Sequence, residues 1–317
     1  MQTTHFERAV FLSWYCAKGD CKFCYMSTQK ERIKDPIKAR RTIASILAEA
    51  IICKACGWKI EFLSGGYRAF SIQEIKEIVK QVSEIMEEKQ WLNIGILSKK
   101  EIEELLPYTK GICGTIECIN PKLQKELCPS KPIEETTKML KSCKELGLKK
   151  AITIIIGLGE SFEDIKLLKE FIKENKIDRV TFYALNPHPG TQFKQGPKTS
   201  DYIKWISEIR QEFPEIEIVA GSWVNRLAEI SHLLDAGADS ITKFPSIKLF
   251  GTKYAQQIEE QAKKANRTFK GTLTKLPDID WDKEVDKIDI DAKLKQQLKQ
   301  KLNQYITAMK KNINKAK

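Results

Sequence analysis

Residues 9–24 read AVFLSWYCAKGDCKFC. Six of the first seven are apolar or aromatic, Ser13 being the exception, the composition and length of a buried strand. The expected strand Ala9–Tyr15 runs without a break into three cysteines within nine residues, Cys16, Cys21 and Cys24. Chemistry-bearing side chains thus stand directly at a strand's C-terminal end. Seven further short runs of the same kind follow, at Lys59–Ser64, Trp91–Leu97, Gly111–Glu117, Ala151–Gly157, Arg179–Leu185, Glu215–Ala220 and Asp239–Lys243. Between them lie stretches such as IQEIKEIVKQVSEIMEEK (72–89), with apolar residues three and four apart, as one helix face requires. Another, KPIEETTKMLKSCKELGLKK (131–150), starts a helix near Pro132 and puts Gly147 where a C-terminal cap belongs. Eight strands alternating with helices predict an α/β fold, a (β/α)8 TIM-type barrel of parallel strands. In such a barrel the site is built on the loops after the strands.

The chain has 317 residues and a net charge of +12. We expect the barrel over 1–255 and a helical C-terminal extension, 256–317, packed on it. LPDIDWDKEVDKIDI (276–290) is acidic and irregular, and a Lys/Gln-rich helix follows. No run of 18 apolar residues occurs, so no membrane span is expected. MQTTHFERAV lacks the basic and apolar regions of a secretory signal, and a cytoplasmic location is expected. The lysine excess reads as solvated helix faces. No RNA-binding module or aromatic–basic cluster accompanies it, so nucleic acid is not the expected partner. The nine cysteines are odd in number, which favours metal binding or burial over a disulfide framework.

Thiolates are the natural ligands of iron–sulfur clusters. A [4Fe–4S] cube takes four ligands and this segment offers three, which leaves one iron open. Gly19 helps the loop turn tightly, and Lys18 and Lys22 bring positive charge near an anionic cluster. A structural zinc site would need a fourth ligand, and no histidine is near in sequence.

This segment resembles the signature of the radical S-adenosylmethionine (SAM) superfamily, C-x3-C-x2-C with an aromatic residue before the last cysteine. Phe23 holds that place, and the first spacing is one residue longer, C-x4-C. Later motifs extend the likeness to the biotin synthase-like group, over about Phe11–Lys243. FLSGGYRAF (62–70) is similar to the Gly-Gly-Glu segment that holds the SAM amino group, with Gly65 and Gly66 retained and Tyr67 in place of the acid. Glu117, inward-facing in the alternation Cys113, Thr115, Glu117, matches a polar SAM contact. GLGESFED (157–164) resembles the loop after strand five, with Gly157 at its turn, Glu160 or Glu163 capping the next helix and Ile156 against adenine. In FYALNPHPGTQF (182–193), Ala184, Leu185 and Asn186 match adenine contacts.

The resemblance implies a [4Fe–4S] cluster on Cys16, Cys21 and Cys24. It also implies reductive cleavage of SAM to a 5′-deoxyadenosyl radical that abstracts hydrogen. It implies an electron donor such as ferredoxin or flavodoxin. The archaeal members suggest sulfur insertion in lipoyl synthesis, as one subunit of a two-protein lipoyl synthase with a second radical SAM subunit and an acidic carrier-protein substrate. A possible second Fe–S cluster would then involve Cys118 and Cys128, in ECINPKLQKELCPSKP (117–132). Biosynthesis of another cofactor, as in iron-hydrogenase maturases or a pyrrolysine-type mutase, and an inactive metal-stabilised binding scaffold are the competing readings. Cys53, Cys56, Cys113 and Cys143 are expected to pack. No catalytic acid or base is singled out. Arg68, His188, Trp223, Arg226 and Lys243 follow strands and are candidate substrate-facing groups.

Overall fold

In a computed structural model, which describes residues 2–316, all eight expected strands form one parallel sheet. A short strand β1 (Thr3–His5) comes first, then β2 (Glu7–Ser13), α1 (Tyr25–Gln29) and α2 (Ile43–Cys56). The chain continues through β3 (Lys59–Gly65), α3 (Ile72–Met86), β4 (Gln90–Asn93), α4 (Lys99–Leu105), β5 (Thr109–Glu117), α5 (Pro121–Leu127) and α6 (Ile133–Glu145). Then come β6 (Lys149–Ile156), α7 (Asp164–Asn175), β7 (Arg179–Ala184), α8 (Thr199–Glu212), β8 (Glu217–Gly221), α9 (Ile230–Asp235), β9 (Ser240–Thr242) and α10 (Lys253–Lys264). The tail carries β10 (Thr268–Lys270), α11 (Trp281–Asp286) and α12 (Ala292–Ala316).

Strands β2 to β9 pair in sequence order, each parallel to the next. The ring is closed at its base by a bridge between Phe6 and Ile241. It is a TIM-type (β/α)8 barrel, with α2, α3, α4, α6, α7, α8, α9 and α10 outside. The helix starts are written in the sequence. Ser71 and Glu74 form a capping box on α3, and Ser98 and Glu101 form another on α4. Strand β4 stops at Asn93, short of the expected Leu97, where Gly95 takes a left-handed turn (φ 94°).

The expected boundary at 255/256 falls inside α10, which packs on α9 as the eighth outer helix. The extension proper follows it. Strand β10 pairs with β1 in parallel, and α12 lies along α2 with Leu298, Leu302, Ile306 and Met309 buried. Among the described residues no helix is long and apolar enough to cross a membrane.

The barrel interior is ionic at its base. Arg179 is buried and its guanidinium forks between Glu7 (3.0 Å) and Glu217 (2.6 Å), over the ring of Trp91. Ser240 donates to Glu7 at 2.8 Å. Higher up, buried Glu61 accepts from Tyr183 Oη and from Thr242 Oγ1 (2.6 Å). Buried charges are tolerated only when paired in this way, and these pairs fill the lower barrel. Open volume remains above it.

Candidate cofactor and active site

The upper barrel holds a cavity of about 740 Å³, within the range of ligand pockets. The three expected ligands Cys16, Cys21 and Cys24 line it and are partly exposed. Phe23, Gly65, Gly66, Glu117, Ala184, Leu185 and Asn186 line it with them. Residues from the ends of β2, β3, β5 and β7 thus meet in one space, although up to 170 positions separate Cys16 from Asn186.

The cysteine loop is held from three sides. The amide of Ala17 donates to Tyr67 O at 3.0 Å, which ties it to the loop after β3. Lys22 N donates to Leu127 O at 2.9 Å, Lys18 Nζ donates to Ser130 O, and Ser130 Oγ donates back to Asp20. Ser27 Oγ donates to Cys24 O (2.6 Å) and Cys21 O (2.7 Å), starting α1. Gly66 has a steric role that differs from the expected approach to a ligand. A Cβ there would collide with Tyr15 O and lie 2.6 Å from Cys16 Cα, so the glycine lets the two loops touch. A Cβ at Gly65 would make only ordinary contact, 3.5 Å from Leu12 Cβ.

Strand β5 carries one extra residue against β6, because its register slips between Gly114 and Glu117. Glu117 ends this bulge in a left-handed conformation (φ 64°). It lines the cavity, as the alternation requires. Thr153 Oγ1 donates to its Oε2 (3.2 Å) and Lys131 Nζ to its Oε1 (3.3 Å). Lys131 was not expected here. It comes from the loop between α5 and α6, which Gln124 pins through Lys131 O. Burial works against its charge, but Glu117 and then the neighbouring cysteines outweigh it and hold the ammonium above its ordinary value.

The thiols differ. A hydrogen bond from the Cys128 thiol holds Cys21 down at about 7, against burial and with help from Lys131. Cys24 is pushed up to about 11, first by burial and then by Cys21. Cluster ligands bind as thiolates. Among the described residues no three His, Cys, Asp or Glu side chains converge on a single ion. A cube takes each thiolate on a different iron, and the donor set of three partly exposed cysteines fits it.

Several expected placements are corrected. Gly157 does not line the cavity; its left-handed turn (φ 105°) packs on Pro197 and Leu185, and its amide donates to Glu160 (2.6 Å). Glu160 also accepts from Leu158 and Gly159, so it braces the loop rather than capping the next helix, and Glu163 makes no side-chain cap. Ile155, not Ile156, faces the cavity, because neighbours on a strand point opposite ways. Cys118 and Cys128 are buried with Phe23, Leu127, Leu158 and Leu185 and lie outside the lining. They form an apolar layer behind the cysteine loop, with Cys21 and Cys24 packed against it.

Of the candidate substrate-facing groups, His188, Trp223 and Lys243 line the cavity. Tyr25 packs edge-on to His188, whose pKa burial lowers. Trp223 Nε1 donates to Ala184 O at 2.8 Å and so fixes the end of β7. Arg68 and Arg226 do not line it. Arg68 pairs outward with Glu101, and Arg226 is committed to Glu229 and Pro197 O. Cys53, Cys56, Cys113 and Cys143 are buried, as expected.

Comparisons with known proteins agree with this geometry. The sequence model described as the radical SAM superfamily matches residues 14–172. An uncharacterised protein of Methanocaldococcus jannaschii is 45% identical over 86% of this chain and 76% of its own. Biotin synthase of Methanococcus vannielii is 27% identical, over 62% of this chain and 60% of its own length. The crystal structure of methylornithine synthase superposes with a TM-score of 0.65 at 20% identity, over 76% of this chain and 72% of that one, a likeness of fold. The matched span begins at the end of β2, takes in the three cysteines and runs through the cavity-lining residues after β3, β4 and β5, and the chain belongs to the radical SAM superfamily.

Proposed function

We propose that this chain is a radical SAM enzyme of cofactor biosynthesis, with a single [4Fe–4S] cluster on Cys16, Cys21 and Cys24. The observation that carries it is the meeting of those three thiols with Phe23, Gly66, Glu117, Ala184 and Asn186 in one cavity at the strands' C-terminal ends. When bound, the cluster and SAM supply a carbon radical that takes hydrogen from an unactivated C–H bond. The chain's own groups do the rest. Glu117, braced by Thr153 and Lys131, presents a fixed carboxylate for the SAM amino acid moiety. The ends of β6 and β7, with Ile155, Ala184, Leu185 and Asn186, offer an apolar wall and polar edge for adenine. The filled base keeps water from entering from below.

Within that class we favour sulfur insertion in lipoyl synthesis as one of two subunits, with the sulfur brought by the second radical SAM subunit. The apolar packing of Cys118 and Cys128 supports a single cluster site, with sulfur arriving from outside this chain. The net charge of +12 suits an acidic carrier protein, and reduced ferredoxin or flavodoxin is the electron donor. Construction of another small cofactor by this chain alone is the second reading, favoured by the fold shared with methylornithine synthase. Reduced protein should release 5′-deoxyadenosine from SAM, and thioether or thiol product on an octanoylated carrier should need the second subunit. Lack of any 5′-deoxyadenosine would instead support an inactive scaffold.

A further inference from the structure

The barrel is not closed along its whole height. Among the described residues the only backbone pairing between β9 and the segment entering β2 is the Phe6–Ile241 bridge. Two residues further on, that register would set Arg8 opposite Lys243. There Lys243 turns left-handed (φ 73°) and carries the chain away from β2 into Phe244 and Pro245. The cavity passes through the gap. Ala9 and Arg8, neighbours whose side chains point to opposite faces of β2, both line it, as does Tyr305 of α12. A side lobe therefore runs from the barrel interior around the lower edge of β2, between the Phe6–Ile241 bridge and the upper stretch that residues 39–41 cover, and Tyr305 of the C-terminal extension lines it.

This lobe is cationic beyond what its own pairs consume. Arg41 and Arg8 share the single carboxylate of Glu49, at 3.0 and 3.1 Å. Arg8 spends Nε and Nη2 on it, and Nη1 has no protein partner among the described residues. Tyr305 Oη accepts from Arg41 at 3.2 Å and keeps its own proton to donate. Lys243 Nζ sits 3.7 Å from Glu61 and 4.3 Å from the centre of the Tyr183 ring, and its side chain lines the cavity. Phe11 and Phe244 supply apolar surface beside these donors.

We infer that this seam lobe binds the carboxylate of an organic acid with an apolar body, with Arg8, Lys243 and Tyr305 as its donors and Phe11 and Phe244 against its body. The inference rests on the radical SAM reading and, of the two substrates proposed, on the small-molecule one, because an acyl chain linked to a carrier has no free carboxylate; it places the substrate's anionic end beside the barrel and its apolar body toward the cavity centre. The C-terminal extension then completes the substrate site through one residue, Tyr305.

The test is calorimetry on the full-length, cluster-reconstituted chain with 4-phenylbutanoate, its primary amide and phenyl phosphate. One acid should bind per chain, and the amide should bind at least about tenfold more weakly, the loss of a charge-assisted pair. Tyr305→Phe and Lys243→Met should each weaken the acid by about tenfold, with melting curves confirming that they fold. Tyr305→Phe removes one oxygen at a partly exposed position and guards against a result lost to misfolding. No binding of the acid, equal binding of acid and amide, or folded variants that bind like wild type would overturn the inference. So would tighter binding of phenyl phosphate, which would give the lobe to phosphate. These titrations need no SAM. 5′-Deoxyadenosine release from the same samples reports separately on the radical SAM reading.

Discussion

The Lys131 ammonium lies 3.3 Å from Glu117 Oε1 and 3.3 Å from Thr115 Oγ1, and so ties the loop after α5 to the end of β5. Both side chains are largely buried beside Cys21 and Cys128. Breaking one partner of such a pair leaves a charge without compensation, which costs about 3–5 kcal/mol. Lys131→Met should lower stability by that order in urea unfolding, and adding Glu117→Gln should recover most of it. A loss no larger than that of an exposed pair, below about 1 kcal/mol, would show that Lys131 is solvated and the loop loosely held.

Glu117 itself should matter for SAM. Replacing it with Gln keeps the shape and removes the charge. The expected change is a drop in SAM affinity of about tenfold or more, the value of a hydrogen bond to a charged group. Equilibrium dialysis of SAM with the reconstituted protein measures it, and unchanged affinity would move the amino-group contact elsewhere.

At the base of the barrel, Glu7 gives a pH signature. Burial raises its pKa, but Arg179, with His5 and Ser240, outweighs burial and holds it at about 2. A carboxyl depressed on folding adds stability above its unfolded value, and that stability is lost as pH falls from about 4.5 towards 2. Its contribution is on the order of 3 kcal/mol. Urea unfolding between pH 5 and pH 2 should therefore steepen in wild type and flatten in Glu7→Gln. Equal slopes in the two proteins would mean that Glu7 keeps an ordinary pKa.

Gly66→Ala tests the contact between two loops. The added methyl meets the Tyr15–Cys16 backbone, which cannot give as a side-chain end could. We expect a destabilisation of about 1–3 kcal/mol together with reduced iron content, because the displaced segment carries Cys16. Gly65→Ala, where the new contact is ordinary, should keep wild-type iron. Equal effects at the two positions would contradict the steric account.

The fold was legible because each barrel strand is a short β-branched or aromatic run buried on both faces, and such runs need no tertiary information to recognise. The three cysteines were legible because their spacing is local. Three-residue strands such as β1 and β10 were not, since a pairing between residues 265 positions apart leaves no local pattern. Lys131 reads as one more surface lysine until the loop after α5 folds back on Cys21. Gly157 misled for the opposite reason. Its glycine-rich loop looks like a ligand cradle, but Glu160 occupies its amides. Cys118 and Cys128 stand on the correct end of the barrel, yet sequence position did not reveal that they face Phe23 and Leu185 rather than the cavity.

The count of iron per chain tests the central claim most directly. After anaerobic reconstitution, wild type and a Cys118→Ala/Cys128→Ala variant should each hold about four irons, one cubane cluster, and a Cys16→Ala/Cys21→Ala/Cys24→Ala variant should hold none. Iron retained by the triple variant, or a wild type that takes up only zinc, would contradict the assignment of Cys16, Cys21 and Cys24 to a single [4Fe–4S] cluster.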